Sequence, residues 1–150
     1  MINISKRLKT LANIILEENI NDIADIGCDH ALLDIYLLQN NPNMKIIASD
    51  VKSGPLEKAK ENITKYSLLN KIELIECNGI EKINSKSIVI AGMGAETILE
   101  ILYNDIEKTK KIENMFIASN NKYELLRKEI IKLGFYIKNE KIIYEIETLL

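Results

Sequence analysis

The run Asp25-Ile26-Gly27-Cys28-Asp29-His30 constrains this chain more than any other stretch. The apolar segment Ile23-Ala24-Asp25-Ile26 leads into it, and a helical pattern from Ala31 to Leu38 leaves it. A strand that ends in a glycine turn and feeds a helix is the first unit of a nucleotide-binding α/β sheet. Only one glycine of the usual glycine-rich pattern is present, so the same residues also describe an ordinary βα turn. The remainder of the chain separates the two readings.

Taken in order, Ser5 is an N-cap for a helix carrying Leu8, Leu11, Ala12 and Ile15 at helical spacing. Lys6, Arg7 and Lys9 read as its solvated face, the sharper alternative being that Arg7 turns toward a ligand carboxylate. The first strand is 22–26, and a helix from about His30 to Leu38 follows, with His30 opening it. Asn40-Asn41-Pro42-Asn43 is a turn, and Met44 to Ser49 is a second strand ending on Asp50. Gly54-Pro55 opens the next helix, whose buried stripe is Leu56, Ala59, Ile63 and Tyr66. Strands over 72–76, 87–91 and 115–118 come next, with helices after the last two and a charged surface helix or loop from Asp105 to Glu113. Gly134 closes the last helix, and Phe135 to Ile146 reads as one long strand or two short ones. Ser87 to Ala91 is nearly all apolar, as a central parallel strand covered on both faces requires. This alternation predicts an α/β fold with a mostly parallel sheet and helices on both faces.

The 150 residues suffice for one domain, and 47% hydrophobic with 28% charged residues is ordinary for a globular chain. A net charge of −2 argues against coating nucleic acid by charge alone but leaves room for a local basic patch. Two distant cysteines and a single histidine make a metal site improbable, and free thiols point to a reducing compartment. There is no signal-peptide layout and no apolar run long enough for a bilayer, so the expectation is a cytoplasmic protein without membrane contact, a monomer by default. The chain runs apolar to its last residue, Leu150, which suggests a domain truncated at its C-terminus.

In an open α/β sheet the ligand sits beyond the carboxyl ends of the strands. Those ends carry Gly27-Cys28-Asp29-His30, Asp50, Asn78-Gly79, Gly92-Met93-Gly94 and Ser119-Asn120, nearly all small or polar. Asp50 follows Gly27 by about twenty residues, the spacing of an acid that accepts hydrogen bonds from ribose hydroxyls. Asn78 offers a donor and an acceptor to an adenine edge, and Gly79 permits close approach of the ring. A dinucleotide needs its pyrophosphate on the amides of a glycine-rich helix start. Asp29 stands where the second glycine would be and would repel it. An acid suits S-adenosylmethionine, which has an adenosine, a sulfonium and an ammonium but no phosphate. The residues therefore favour that cofactor over NAD, whose oxidoreductases remain an alternative.

In these features the chain resembles the bacterial tRNA (adenine-22-N1)-methyltransferase family. The matching segments are Ser5-Lys6-Arg7-Leu8, Asp25 through Ala31, Ile47 through Val51 with Gly54-Pro55, Ile90 through Gly94, and Leu133-Gly134-Phe135 with Glu140. The resemblance implies a Rossmann-like class I methyltransferase sheet, here with its last strand missing or incomplete, and a following coiled-coil domain that this chain lacks. It also implies S-adenosylmethionine as cofactor, S-adenosylhomocysteine as product and tRNA as partner. The matched positions Arg7, Asp25, Gly27, Asp29, His30, Asp50, Val51, Ala91, Gly92 and Met93, together with Asn78 and Gly79, would then contact the cofactor. Three departures stand out: Asn78 where the family usually has aspartate, Ala95 where it has glycine, and Ala118-Ser119-Asn120 where it shows Gln-Pro-Asn.

Adenine N1 carries a free lone pair at neutral pH and needs no general base. The demand on such an enzyme is to align nitrogen, methyl and sulfur, and to stabilise the cation that forms. Asp29 is the candidate carboxylate for that charge, with a pure cofactor contact as its alternative, and Asn120 is a candidate hydrogen-bond partner for the base. The base must be displaced from tertiary pairing to react, and Met93 either packs against it or simply fills the core. A truncated relative that binds S-adenosylmethionine or RNA without turnover is the second reading.

Overall fold

A computed structural model describes residues 1–143. The helices are α1 (Lys6–Glu17), α2 (Leu32–Asn40), α3 (Ser53–Lys65), α4 (Ala95–Asn104), α5 (Ile106–Lys111) and α6 (Tyr123–Lys132). The strands are β1 (Asp22–Ile26), β2 (Lys45–Asp50), β3 (Ile72–Glu76), β4 (Ser87–Met93) and β5 (Asn114–Ser119). Among the described residues all four strand pairings are parallel, and the order is β3-β2-β1-β4-β5. The order reverses between β1 and β4, so the two halves diverge at the carboxyl ends of those strands, and a crevice opens there.

Alternation along the strands assigns each residue to a face. Ile23, Ile46, Ala48, Val89 and Phe116 join one apolar cluster with residues of α1, α2 and α3. Ala24, Ile26, Ile88 and Ile90 join the other, with residues of α4 and α6. Both faces of β1 and β4 are thus covered, and their near-continuous apolar runs follow from that. Helix α2 packs between α1 and α3. Every residue from Leu33 to Leu38 is buried, including Asp34. Helix α1 starts where expected, with Ser5 Oγ accepting from the Leu8 amide at 3.2 Å.

Two expectations need correction. Residue 30 does not open a helix: Asp29 and Ala31 hold left-handed backbone (φ 51° and 61°), and α2 begins only at Leu32. His30 therefore sits in a turn. Residues 135–143 form no strand, and the rest of the segment expected as a strand lies outside the described residues. Elsewhere strand and helix ends fall within a few residues of the pattern, although β4 runs on to Met93 through an irregularity between Ala91 and Met93.

Ile35→Ala, at a fully buried position of α2, is expected to destabilise the fold by about 2–5 kcal/mol. Ile142→Ala, at a site 98% exposed, should stay within about 0.5 kcal/mol. Urea denaturation of the two variants checks the contrast.

Candidate functional site

The turn after β1 is tied to β2 through its own backbone. The amides of Gly27 and Cys28 both donate to the Ser49 carbonyl, at 2.9 and 2.7 Å. The next amide, that of Asp29, donates to Asp50 Oδ2 at 3.2 Å, and Asp50 Oδ1 accepts from the Lys52 amide at 3.2 Å. Gly27 adopts φ +76°, and a Cβ there would fall 2.3 Å from the Met93 methyl. Glycine is thus favoured by the backbone conformation, and a Cβ there would also displace the Met93 methyl at the end of its flexible side chain. Three successive amides that could cradle a phosphate are spent within the fold. The side chains of Asp29 and Asp50 stand beside them.

A cleft of about 360 Å³ opens over these ends, lined by Gly27, Asp29, Asp50, Val51, Asn78, Gly79, Ala91, Gly92 and Met93. A second hollow of about 260 Å³ shares Gly27, Asp29, Ala91 and Gly92 and adds Arg7, Asp25 and His30. All twelve positions expected around a cofactor lie on one or the other. Gly79 has φ +57°, and a Cβ on it would press on Ile101 at 3.3 Å. The Asn78 amide donates to Glu81 Oε1 at 3.2 Å, which fixes the turn that presents it. His30 Nε2 lies 3.7 Å from Asp29 Oδ1, and its carbonyl accepts from Asn62 Nδ2 at 3.0 Å.

The sequence reading missed one wall of the cleft. Thr97, Glu100, Ile101 and Asn104 of α4 line it. Their spacing of three, four and seven places them on a single helix face, and that periodicity was the available signal.

Arg7 and Asn120 meet at the other side. Arg7 Nη2 donates to the carbonyls of Ala118 and Ser119, each at 3.2 Å, and to Asn120 Oδ1 at 2.8 Å. Asn120 Nδ2 donates to the Gly92 carbonyl at 3.0 Å. Lys6 and Lys9 are solvated as expected, whereas Arg7 ties α1 to the end of β5. Asn121, unnoticed in the sequence, accepts from the Ala95 amide at 3.0 Å and so caps α4.

Behind the cleft lie two carboxyls. Asp25 of β1 is 4% exposed and Asp34 of α2 is 0% exposed, and they are within hydrogen-bond reach of each other. Burial raises Asp25 to about 6, helped by the charges of Asp50 and Asp29, while its hydrogen bond with Asp34 pulls it down. Burial, then the Asp25 charge and hydrogen bond, hold Asp34 well above the usual carboxylate range. The Cys28 thiol is pushed up by burial and then by Asp25, Asp34, Asp50 and Asp29, so it stays protonated. Sequence reasoning had no means to find Asp34, which sits in a helix among apolar neighbours. Among the described residues no group of His, Cys, Asp and Glu is arranged to hold a metal, and no helix is long and apolar enough to cross a membrane.

A five-stranded parallel sheet of this order, with an acid closing β2 and a cleft at the β1/β4 crossing, defines a Rossmann-like methyltransferase domain. A methyltransferase-domain family model matches residues 4–149. The tRNA (adenine(22)-N(1))-methyltransferase of Bacillus subtilis is 31% identical over 147 residues, covering 96% of this chain and 61% of that protein. The structure of Mycoplasma capricolum TrmK with S-adenosyl-homocysteine superposes with a TM-score of 0.81 at 39% identity, covering 96% of this chain and 64% of that one. A Streptococcus pneumoniae structure in complex with S-adenosyl-L-methionine superposes with a TM-score of 0.84 at 31% identity, over 95% of this chain and 68% of that one. The chain belongs to the methyltransferase-domain family whose model it matches, and it is similar to tRNA (adenine(22)-N(1))-methyltransferases. It spans a little over three fifths of the length of the Bacillus subtilis relative.

The buried pair makes stability depend on pH. Both carboxyls are raised in the folded state, so their stabilising contribution is full below the ordinary carboxylate range. It is lost as pH rises through about 6 for Asp25 and higher for Asp34. Asp34→Asn should therefore show a growing advantage in Tm over the unaltered chain between about pH 6 and 9. Parallel Tm curves across that range would mean that the two acids do not share a proton.

Proposed function

We propose that this chain is the methyl-transferring domain of an S-adenosylmethionine-dependent enzyme that modifies N1 of adenine 22 in tRNA. One observation carries the cofactor reading. The amides of Gly27, Cys28 and Asp29 are consumed by Ser49 and Asp50, and the space beside them is acidic, with Asp29, Asp50 and Glu100 on the cleft and Asp25 on the hollow that adjoins it. Such a site has no amide cradle for a pyrophosphate and favours an adenosine that bears positive charge. That argues against NAD. The tRNA target is supported by the relatives, among which the Bacillus subtilis protein carries that activity in its name.

In this reading Asp50 accepts the ribose hydroxyls with the lone pairs left by its two amide bonds. Asn78 and Gly79 meet the adenine edge, and Val51 and Ile101 flank the ring. The cofactor supplies an electrophilic methyl on sulfonium. Asp25, Asp29 and His30, with Arg7 nearby, bind its amino-acid end. Ala91, Gly92 and Met93 form the floor between cofactor and base. The positive φ of Gly92 (+83°) lets its carbonyl take the Asn120 amide, which fixes Asn120 at the rim where the base enters. Asp29, with a largely exposed side chain, is placed to offset the charge that methylation creates on the ring. Asn120 offers the base whatever hydrogen-bonding capacity Arg7 and Gly92 leave it, so its first role is positional. Residues 1–150 act as a single domain of this kind, in the cytoplasm where tRNA is modified.

Calorimetry with S-adenosylhomocysteine and with NAD tests the cofactor: the first should bind and the second should not. Asp50→Ala should weaken S-adenosylhomocysteine at least about tenfold, because two hydroxyls lose a charged acceptor. Binding of NAD alone would overturn the reading. For the target, unmodified tRNA incubated with the chain and S-adenosylmethionine should yield 1-methyladenosine on nucleoside analysis. A tRNA with guanine at position 22 should yield none, and a methylated nucleoside of any other kind would displace the adenine assignment.

A further inference from the structure

We propose that Asp34 is a positioning residue for the cofactor site: its enclosed carboxyl remains the acid and donates its proton to Asp25, so that Asp25 meets the cleft as the anion that receives the cofactor's ammonium. The inference rests on the S-adenosylmethionine reading for the identity of that ammonium.

The geometry carries it in three steps. Asp34, in the first turn of α2, is wholly closed off from solvent in the packed fold. Neither Asp34 oxygen receives a hydrogen bond from any donor among the described residues. An ionised carboxylate in that position would have no hydrogen-bond donor among the described residues, and the N-terminal dipole of α2 would offset only part of a burial cost of several kcal/mol. A neutral carboxyl needs only one acceptor, and Asp25 is within reach.

Asp25 is placed differently. It lines the hollow with Arg7, Leu8, Asp29 and His30, where a ligand cation can approach it. Two carboxyls this close hold one proton between them, and the charge belongs to the one that can be solvated or paired. The proton therefore resides on Asp34 and the charge on Asp25. The other ionisable groups around the pair fit this division. Cys28, on the same turn, is a neutral thiol. Asp29 and Asp50 add negative charge from the turn and from β2, which deepens the attraction for a cation. His30 pairs with Asp29, and Arg7 from α1 lines the same hollow and binds the end of β5.

Replacing Asp34 by an apolar residue removes the donor that keeps Asp25 ionised. Replacing it by asparagine retains a donor without the second acid. The two substitutions consequently diverge, which a purely structural role would not produce.

The test joins carbon-13 NMR of the aspartate carboxyls in the ligand-free chain with S-adenosylhomocysteine calorimetry from about pH 5 to 9. Asp34 should remain protonated at neutral pH. Asp25 should titrate near 6 and shift to lower pH when S-adenosylhomocysteine is added. Affinity for S-adenosylhomocysteine should fall as pH drops through that value. Asp34→Asn should keep affinity within about threefold, whereas Asp34→Leu should lose about tenfold near neutral pH and recover most of it by about pH 9, once Asp25 ionises unaided. An Asp34 carboxyl already ionised at neutral pH would overturn the proposal. Equal losses in both variants at every pH, or no loss in either, would do the same. If the unaltered chain binds no S-adenosylhomocysteine, the cofactor reading fails instead, and the carboxyl titration alone decides whether Asp34 holds the proton for Asp25.

Discussion

The Ser49 carbonyl is the point on which the site depends. It accepts two consecutive amides from the turn after β1, and the residue after it supplies the carboxylate that accepts a third. These bonds make the β1 turn an extension of the parallel ladder between β1 and β2. They set the position of Asp29 relative to Asp50, and so the spacing of the two acids at the cleft. They also remove the backbone donors by which related folds hold a pyrophosphate. The Ser49 carbonyl and the Asp50 carboxylate together thus order the turn.

The side chains around that turn form a charge balance. Asp25, Asp29, Asp50 and Asp34 lie within interaction range of Cys28, and burial raises the two enclosed ones, Asp25 and Asp34. Asp34 is the one with no route to solvent, and it settles as the acid. The cations are placed with equal economy. Arg7 is held to the end of β5 by two carbonyls and the Asn120 amide oxygen, which joins the first helix to the last strand described. Asn120 passes the connection on to Gly92, and Asn121 caps α4. The β5 end therefore organises the side of the cleft opposite Asp50.

Much of this was legible in the amino-acid sequence. The Ile23–Ile26 and Ser87–Ala91 runs announced central parallel strands, because a strand covered on both faces must be apolar throughout. Asp29 in place of a glycine already pointed away from a phosphate, and Asp50 was placed by spacing alone. His30 was misread because helix periodicity says nothing of the left-handed residues on either side of it. Thr97, Glu100 and Asn104 lie on a helix and not at strand ends, so only their helical spacing marks them in the sequence as a common face.

Local pattern by itself determined the strands, the helices and the residues at their carboxyl ends, since these follow from period, capping and turn chemistry within a few residues of chain. What it could not determine was which distant groups meet. The bond from Arg7 to Asn120 spans more than a hundred residues, and the one from Asp29 to Asp50 crosses from one strand to the next. The burial of Asp34, and its meeting with Asp25 of β1, arise only when α2 packs into the assembled fold. Burial and partnership fix the charge of an acid, and both are properties of the packed molecule. The sequence therefore named the acids at the cleft, and the tertiary structure decided which of them carries the charge.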